Sequence, residues 1–189
     1  MWDDSVEKLL QVYCDEAQTR EALHRRSFYK YKRLTSWFQI PVIVLSALSG
    51  SFQFLSKGYP DFEKLIVTCT ASTSILTSII SAVSAYLKLG ENTAAHETSS
   101  NAWLLFHNEL KHQLGLHPDK REPADEFLQR CKTNYDRLFE ISPICAEKTI
   151  KQIKSKISKH ATEGFEPPTY LNGFRHAHVY HEEYEDNSV

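Results

Sequence analysis

The chain has few of the residues on which small reactive sites are usually built. Its 189 residues include four cysteines, and no two of them form a Cys-x-x-Cys pair. Scattered thiols predict neither a disulfide framework nor a zinc site, and they are typical of a reducing compartment. The sequence also lacks a G-x-x-x-x-G-K-[ST] phosphate loop, a G-x-G-x-x-G turn and a G-x-S-x-G elbow. We therefore expect no enzyme, no catalytic residue and no cofactor.

Histidine is present, but its spacing does not favour a metal site. His107 and His112 are five residues apart, whereas an i, i+4 pair would place two imidazoles on one helix face. Three further histidines near the end of the chain precede two glutamates, in a segment that would have to become ordered to bind an ion: His176, His178 and His181. We expect no metal.

Charge is absent from two long stretches, 34–56 and 65–87. Each exceeds the roughly 20 apolar residues that cross a bilayer as a helix. Neither contains an ionisable residue of the kind on which proton relays and charged gates depend. The pattern predicts an all-α membrane protein with a two-helix transmembrane hairpin, spanning about 38–56 and 65–87. The alternative is a pair of buried helices in a soluble bundle, since the second stretch is rich in serine and threonine.

Basic residues lie before the first stretch, and they set the expected orientation. The short connection offers only Lys57 and Lys64, offset by Asp61 and Glu63. No signal peptide is visible, because more than thirty mostly polar residues precede the first apolar run. The positive-inside rule then predicts a cytoplasmic N-terminus, and two crossings return the C-terminus to the same side. The basic group comprises His24, Arg25, Arg26, Lys30, Lys32 and Arg33.

The flanking segments are predicted to be helical and cytoplasmic. Residues 1–37 form an amphipathic helix, 88–160 a helical region, and 161–189 a polar tail that we expect to be disordered. A basic helix over 145–159 either rests on anionic lipid or closes the cytoplasmic bundle with its isoleucines. Apolar residues at helical spacing mark three faces: Val6, Leu9, Leu10, Tyr13 and Ala17; Trp103, Phe106, Leu110 and Leu114; and Phe127, Leu128, Cys131, Tyr135 and Leu138.

Small polar residues follow one side of each predicted span. In the second span five hydroxyl residues fall within an arc of about 80° on a helical wheel. They permit close helix packing with interhelical hydrogen bonds, or they line a water-filled path in an oligomer. The candidate pore or helix-packing residues are Thr70, Ser74, Thr77, Ser81 and Ser84, together with Ser46, Gly50 and Gln53 of the first span.

The order of several short motifs resembles a known family. They are Ile40-Pro41-Val42-Ile43-Val44-Leu45-Ser46-Ala47-Leu48-Ser49-Gly50, Ala85-Tyr86-Leu87-Lys88-Leu89 with Glu91 and His96, Asn134-Tyr135-Asp136-Arg137-Leu138, and Ser142-Pro143-Ile144. Over roughly residues 5–150 the chain is similar to the SLATT family, the two-transmembrane effector domains associated with SMODS and SLOG proteins. The resemblance departs where the family tends to carry another proline, because Cys145 and Ala146 follow the Ser-Pro pair here.

The resemblance implies an oligomeric membrane effector that forms pores and acts in defence, alongside nucleotide-messenger systems. The sequence contains no recognisable sensing domain, and we expect the sensor to be a separate protein. The expected partners are the lipid bilayer, further copies of the chain, and a separate sensor or another membrane or capsid protein, with no nucleic acid. Cytoplasmic assembly is expected to involve Trp103, Tyr135 and Leu138.

Two other functions stay open on the sequence. One is a non-conducting scaffold, for example a membrane component of a large DNA virus particle, since relatives of the family occur in such viruses. The other is a helical domain that acts on lipid or nucleotide, which the lack of any acid/base or metal constellation disfavours.

Overall fold

The computed structural model describes residues 2–56, 60–161, 164, 165, 168 and 171, and this part of the chain contains helices and no strand. Five α-helices follow in order: α1 (Asp4–Ser56), α2 (Glu63–Tyr86), α3 (Leu89–Leu114), α4 (Ala124–Ile141) and α5 (Glu147–His160). Short 3₁₀ turns cover Pro60–Phe62 and Pro118–Lys120. The all-α prediction is confirmed.

Two compact units divide these helices. The core unit contains residues 1–23 and 99–189, and the apolar unit contains residues 24–98. The helix α1 contributes its first five turns to the core unit and the rest to the apolar unit, and α3 is likewise shared. The N-terminal amphipathic segment and the first apolar stretch are therefore one helix.

The core unit is held together by apolar faces from three helices. From α1 come Leu10, Cys14 and Ala17, while α3 and α4 contribute the remaining residues of the cluster: Trp103, Phe106, Leu110, Phe127, Cys131 and Leu138. These positions include most of the residues that helical spacing marked in the sequence. Leu9 differs, because it is 41% exposed and takes no part in the cluster.

Aromatic contacts surround the one arginine of α1 that faces this core. Arg20 lies over the rings of Trp103 and Phe139, at 5.2 and 4.6 Å from their centroids, and it pairs with Glu16 at 2.9 Å. Tyr13 stacks on Tyr135 with centroids 5.0 Å apart. A guanidinium placed over aromatic faces and paired with a carboxylate keeps its charge compensated while its stem packs against apolar surface.

A second arginine joins the start of α1 to the end of α3. Arg121 donates hydrogen bonds to the backbone oxygen of Leu114, the last residue of α3, and to that of Leu116, two residues beyond the helix. The same guanidinium pairs with Glu7 and lies 4.7 Å from the Trp2 ring centroid. One side chain thus caps a helix and fixes the chain entry into α1.

The ends of α4 follow its flanking prolines. Pro123 precedes the helix, and Ser142 ends it in an extended conformation immediately before Pro143, because a residue before proline is disfavoured in the helical region. The hydroxyl of Ser142 also accepts a hydrogen bond of 2.8 Å from the Trp103 indole. The basic helix predicted near 145–159 is observed as α5, in which Ile153 and Thr149 are buried.

Most of the predicted disordered tail, 161–189, lies outside the described residues. Of the tail residues that are described, Pro168 and Leu171 are buried, and the Leu171 amide donates to the Pro168 carbonyl at 3.0 Å. The tail histidines His176, His178 and His181 lie outside the described residues.

Trp103 provides a test of this core. Replacing it with alanine removes a fully buried ring, its contact with Arg20 and its hydrogen bond to Ser142. We expect Trp103→Ala to destabilise the fold by about 3–5 kcal/mol, measured as a lowered midpoint of thermal or denaturant unfolding by circular dichroism. The matched control is Leu105→Ala on the same helix, where the side chain is 71% exposed and the midpoint should barely move. Equal effects of the two substitutions would contradict the packing described.

Candidate functional site

The long helices of the apolar unit expose apolar side chains that would be buried in the core of a globular protein. Both long helices are long and apolar enough to cross a membrane, and no residue of the most apolar 18-residue window in either helix is buried. Helix α2 has no buried residue along its 24 positions. Its length of about 36 Å matches the roughly 30 Å hydrocarbon core of a bilayer. The alternative of two core helices in a soluble bundle is not what this single chain forms.

Each apolar helix has one half-buried row of side chains. In α2 the row is Ile66, Thr70, Thr73, Thr77, Ile80 and Ser84, and in α1 it is Tyr31, Thr35, Phe38, Val42, Leu45 and Ser49. Both rows repeat at intervals of four and three residues, the spacing of one helix face. These faces are the sides of the two helices that the chain itself partly covers.

The predicted hydroxyl stripe of α2 divides between this row and the exposed surface. Thr70, Thr77 and Ser84 are half-buried, whereas Ser74 and Ser81 are exposed. The centre of the half-buried row lies about 40° from the centre of the stripe, at about 100° per residue. A fold built from one chain therefore leaves one edge of the stripe uncovered.

The five hydroxyl residues of the stripe also differ in their hydrogen bonds. The hydroxyls of Ser74 and Thr77 donate to the backbone oxygens four residues earlier, at 2.9 and 2.8 Å. Thr68, Ser72, Thr73 and Ser78 of α2 do the same. Among the described residues Thr70 Oγ1 is buried without a hydrogen-bond partner. A hydroxyl bonded to its own helix tolerates an apolar surrounding, and one without a partner is costly there.

In α1 the three candidate positions are all exposed. Ser46, Gly50 and Gln53 lie on surface that the chain does not cover. A side chain added at Gly50 would meet nothing within 4 Å among the described residues. The small residue is therefore not needed for packing within one chain.

A groove of about 670 Å³ lies within the apolar unit, where α1 passes the end of α2. Phe38, Val42 and Ile43 form apolar walls, and Ser81 and Ser84 of the predicted stripe reach the same space. The other lining residues are Gln39, Ala85, Lys88, Leu89, Gly90 and Glu91. Two stripe hydroxyls thus lie beside an open amphipathic groove rather than inside a packed helix contact.

The junction between α2 and α3 depends on one unusual backbone conformation. Lys88 has a φ of 47°, which lies in the left-handed region. It is the only non-glycine residue with a positive φ in the described part of the chain. Its amide donates to the Ala85 carbonyl at 2.9 Å, and the Leu87 amide donates to the Val83 carbonyl at 3.0 Å. This arrangement ends α2 and lets α3 begin at Leu89. Glycine is the usual residue at such a position, and the nearest one here is Gly90, two residues later.

Two histidines meet inside the apolar unit. His24 on α1 and His96 on α3 are 3% and 2% exposed, and their Nδ1 atoms are 3.0 Å apart. The His96 ring stacks on Tyr31 with centroids 5.3 Å apart. Burial lowers the pKa of His96, because it penalises the charged imidazolium. Residues 72 positions apart cannot be paired by local spacing, which is why sequence reasoning did not join them.

A cysteine and a histidine also meet in the core unit. Cys14 Sγ lies 3.3 Å from His107 Nδ1. Burial raises the pKa of the Cys14 thiol to about 11, so that the thiol is protonated near neutral pH. An activated nucleophile requires the opposite shift. This pair has the properties of a packed core contact.

The residues expected to mediate cytoplasmic assembly are placed in the chain's own core. Trp103 is 0% and Leu138 4% exposed, and Tyr135 packs between the rings of Tyr13 and Trp103. Side chains enclosed in this way stabilise one copy and leave little surface for another. Spacing marked Trp103 on one helix face and Tyr135 and Leu138 on another, but it could not say whether those faces meet the same chain or a second copy. The exposed large apolar residues of the core unit lie elsewhere, and they are Leu9, Val12, Leu104, Leu105, Phe139, Ile141 and Ile144.

The junction residue gives a prediction. We expect Lys88→Gly to leave the unfolding midpoint unchanged or slightly higher, because glycine adopts a positive φ without steric cost. Lys88→Val should destabilise by about 1–2 kcal/mol, measured by thermal unfolding in detergent micelles. Since both substitutions remove the charge, their difference isolates the backbone. A valine variant as stable as the glycine variant would contradict the left-handed conformation.

The buried imidazole predicts how stability varies with pH. Because the pKa of His96 is lower in the folded chain, the unfolded chain binds more protons at mildly acidic pH. Stability that is fully present above the ordinary histidine pKa of about 6.5 should fall as the pH drops through that value. The measurement is the unfolding midpoint from pH 7.5 to 5.5, expressed relative to His112→Gln, which alters an exposed histidine. His96→Gln should flatten the profile, and an unchanged slope in that variant would contradict the assignment.

No protein-family model, curated protein or solved structure matches this chain.

Proposed function

We propose that the chain is a two-span membrane protein that assembles into an oligomer and makes the membrane permeable. In this proposal α2 and the second half of α1 are the spans, and both flanking regions face the cytoplasm. The observation that supports it most directly is the apolar surface of the two helices, which the chain leaves uncovered. In water, each exposed large apolar side chain forgoes about 1.5–3 kcal/mol of burial. Lipid removes that cost.

The charge distribution favours the orientation. Basic residues concentrate on α1 before its apolar part, and Lys88 follows the apolar part of α2. Positive charge on the cytoplasmic side of two spans is the usual arrangement. The start of the first span and the end of the second span then lie at the cytoplasmic face of the membrane. The turn Pro60–Phe62 lies at the opposite face.

The polar side chains favour assembly into more than one copy. One edge of the α2 stripe is exposed at Ser74 and Ser81, and the α1 positions Ser46 and Gly50 are exposed as well. In a bilayer such positions gain by contacting another helix or water. A single pair of helices encloses no aqueous path, so conduction requires several copies around the exposed edge.

The resemblance to SLATT effectors supports the same function. Its motifs lie in this chain at the start of the first span, at the end of the second span and in α4. In the proposal the trigger would come from a separate sensor.

The experiment begins with the purified full chain in liposomes. Resistance to alkaline extraction tests insertion, and dye efflux and single-channel current test permeability. We expect discrete conductance together with a defined crosslinked oligomer. A chain that inserts and oligomerises but shows neither efflux nor current, with no trigger that activates it, would favour the scaffold function instead.

The exposed edge of the stripe gives a sharper prediction. Replacing Ser74 and Ser81 together with leucine should abolish or reduce conductance by at least about tenfold, because an apolar lining dewets a narrow path. The matched control replaces Ser72 and Ser78, two exposed serines of α2 outside the stripe, with leucine. Both double variants add the same apolar volume to one helix.

Crosslinking read alongside separates the two possible roles of the edge. Loss of current with the oligomer intact places the serines at the conducting path, and loss of both places them at a helix contact. Conductance that survives intact in the Ser74/Ser81 variant would overturn the proposed path.

A further inference from the structure

We propose that His24 and His96 form a binding site for a divalent transition-metal ion of the zinc type. The inference does not depend on membrane permeability. It rests on the placement of two imidazoles that come from different helices of the apolar unit. Neutral imidazole nitrogen is a favoured ligand of Zn²⁺ and Co²⁺.

The distance between the two nitrogens suits a shared ion. Zinc binds imidazole nitrogen at 2.0–2.1 Å, so two ligands in a tetrahedral arrangement lie about 3.3 Å apart. The Nδ1 atoms of His24 and His96 are 3.0 Å apart and face each other. A displacement of a few tenths of an ångström converts the hydrogen-bonded pair into a chelating pair.

The surroundings of the two imidazoles hold the rings in place and favour their neutral form. Both rings are almost fully buried, and Tyr31 stacks against His96 and fixes the plane of that ring. Burial also lowers the pKa of His96, which keeps the nitrogen lone pair available at neutral pH. The remaining coordination positions would be filled by water or by other donors.

The proton balance of binding is simple. In the metal-free pair one Nδ1 carries the shared proton and the other accepts it. When the ion binds both Nδ1 atoms, that proton moves to Nε2 of the same ring through solvent, and each imidazole stays neutral. Near neutral pH binding therefore releases almost no protons, whereas below the histidine pKa protons compete with the ion and the affinity falls.

The test uses the full chain without an affinity tag, titrated with Zn²⁺ or Co²⁺ alone by calorimetry and by absorption spectroscopy. The background variant carries His176→Gln, His178→Gln and His181→Gln, so that the terminal histidines do not contribute. We expect one ion per chain in this background. His24→Gln or His96→Gln should weaken binding by more than the roughly 10–100-fold that loss of an outer-shell partner costs. His112→Gln is the matched control at an exposed histidine and should leave binding unchanged.

If a glutamine variant fails to fold, two other measurements still test whether the imidazoles bind the metal. X-ray absorption of the zinc-loaded background chain should count two imidazole ligands, which needs no change at the site. His24→Cys should keep cobalt binding and strengthen the thiolate-to-metal charge-transfer absorption relative to the background chain. No binding, a zinc shell without two imidazoles, or full affinity in folded His96→Gln would each overturn the proposal.

Discussion

The structure depends on one constraint, which is that the apolar helices are not covered by their own chain. The core unit buries its apolar faces in a cluster formed by α1, α3 and α4. The apolar unit does not, and α2 has no buried residue. The hydrophobic effect drives such surface out of water, so the environment of the apolar unit has to supply what a globular core would otherwise supply. In the proposed function, lipid and further copies of the chain supply it.

Sequence reasoning reached the helices well because their signals are local. Charge-free stretches of more than twenty residues, apolar faces at helical spacing and prolines at helix ends each depend on neighbouring positions only. Pro123 and Pro143 bracket α4 as expected, and the faces containing Trp103 and Phe127 enter the core. The all-helical architecture and the existence of two long apolar helices follow from these signals.

What the sequence missed depends on contacts between distant residues or on backbone geometry. Whether Trp103 and Tyr135 face their own chain or another copy is decided by how three helices meet, and spacing along one helix carries no such information. His24 and His96 pair across 72 residues. The helix break at Lys88 uses a left-handed conformation at a residue type that rarely adopts it, so that Gly90 two positions later is the stronger signal. The partition of the stripe between Thr70 and Ser74 likewise depends on which side of α2 the chain covers.

The backbone-bonded hydroxyls of α2 have a consequence for biogenesis. Thr68, Ser72, Thr73, Ser74, Thr77 and Ser78 each satisfy their donor within their own helix. If α2 spans a membrane as proposed, it would present a translocon with fewer unsatisfied donors than its serine and threonine content suggests. In the proposed function, insertion would then not require contacts between copies, and the Thr70 hydroxyl is the exception, since it is buried without a hydrogen-bond partner among the described residues.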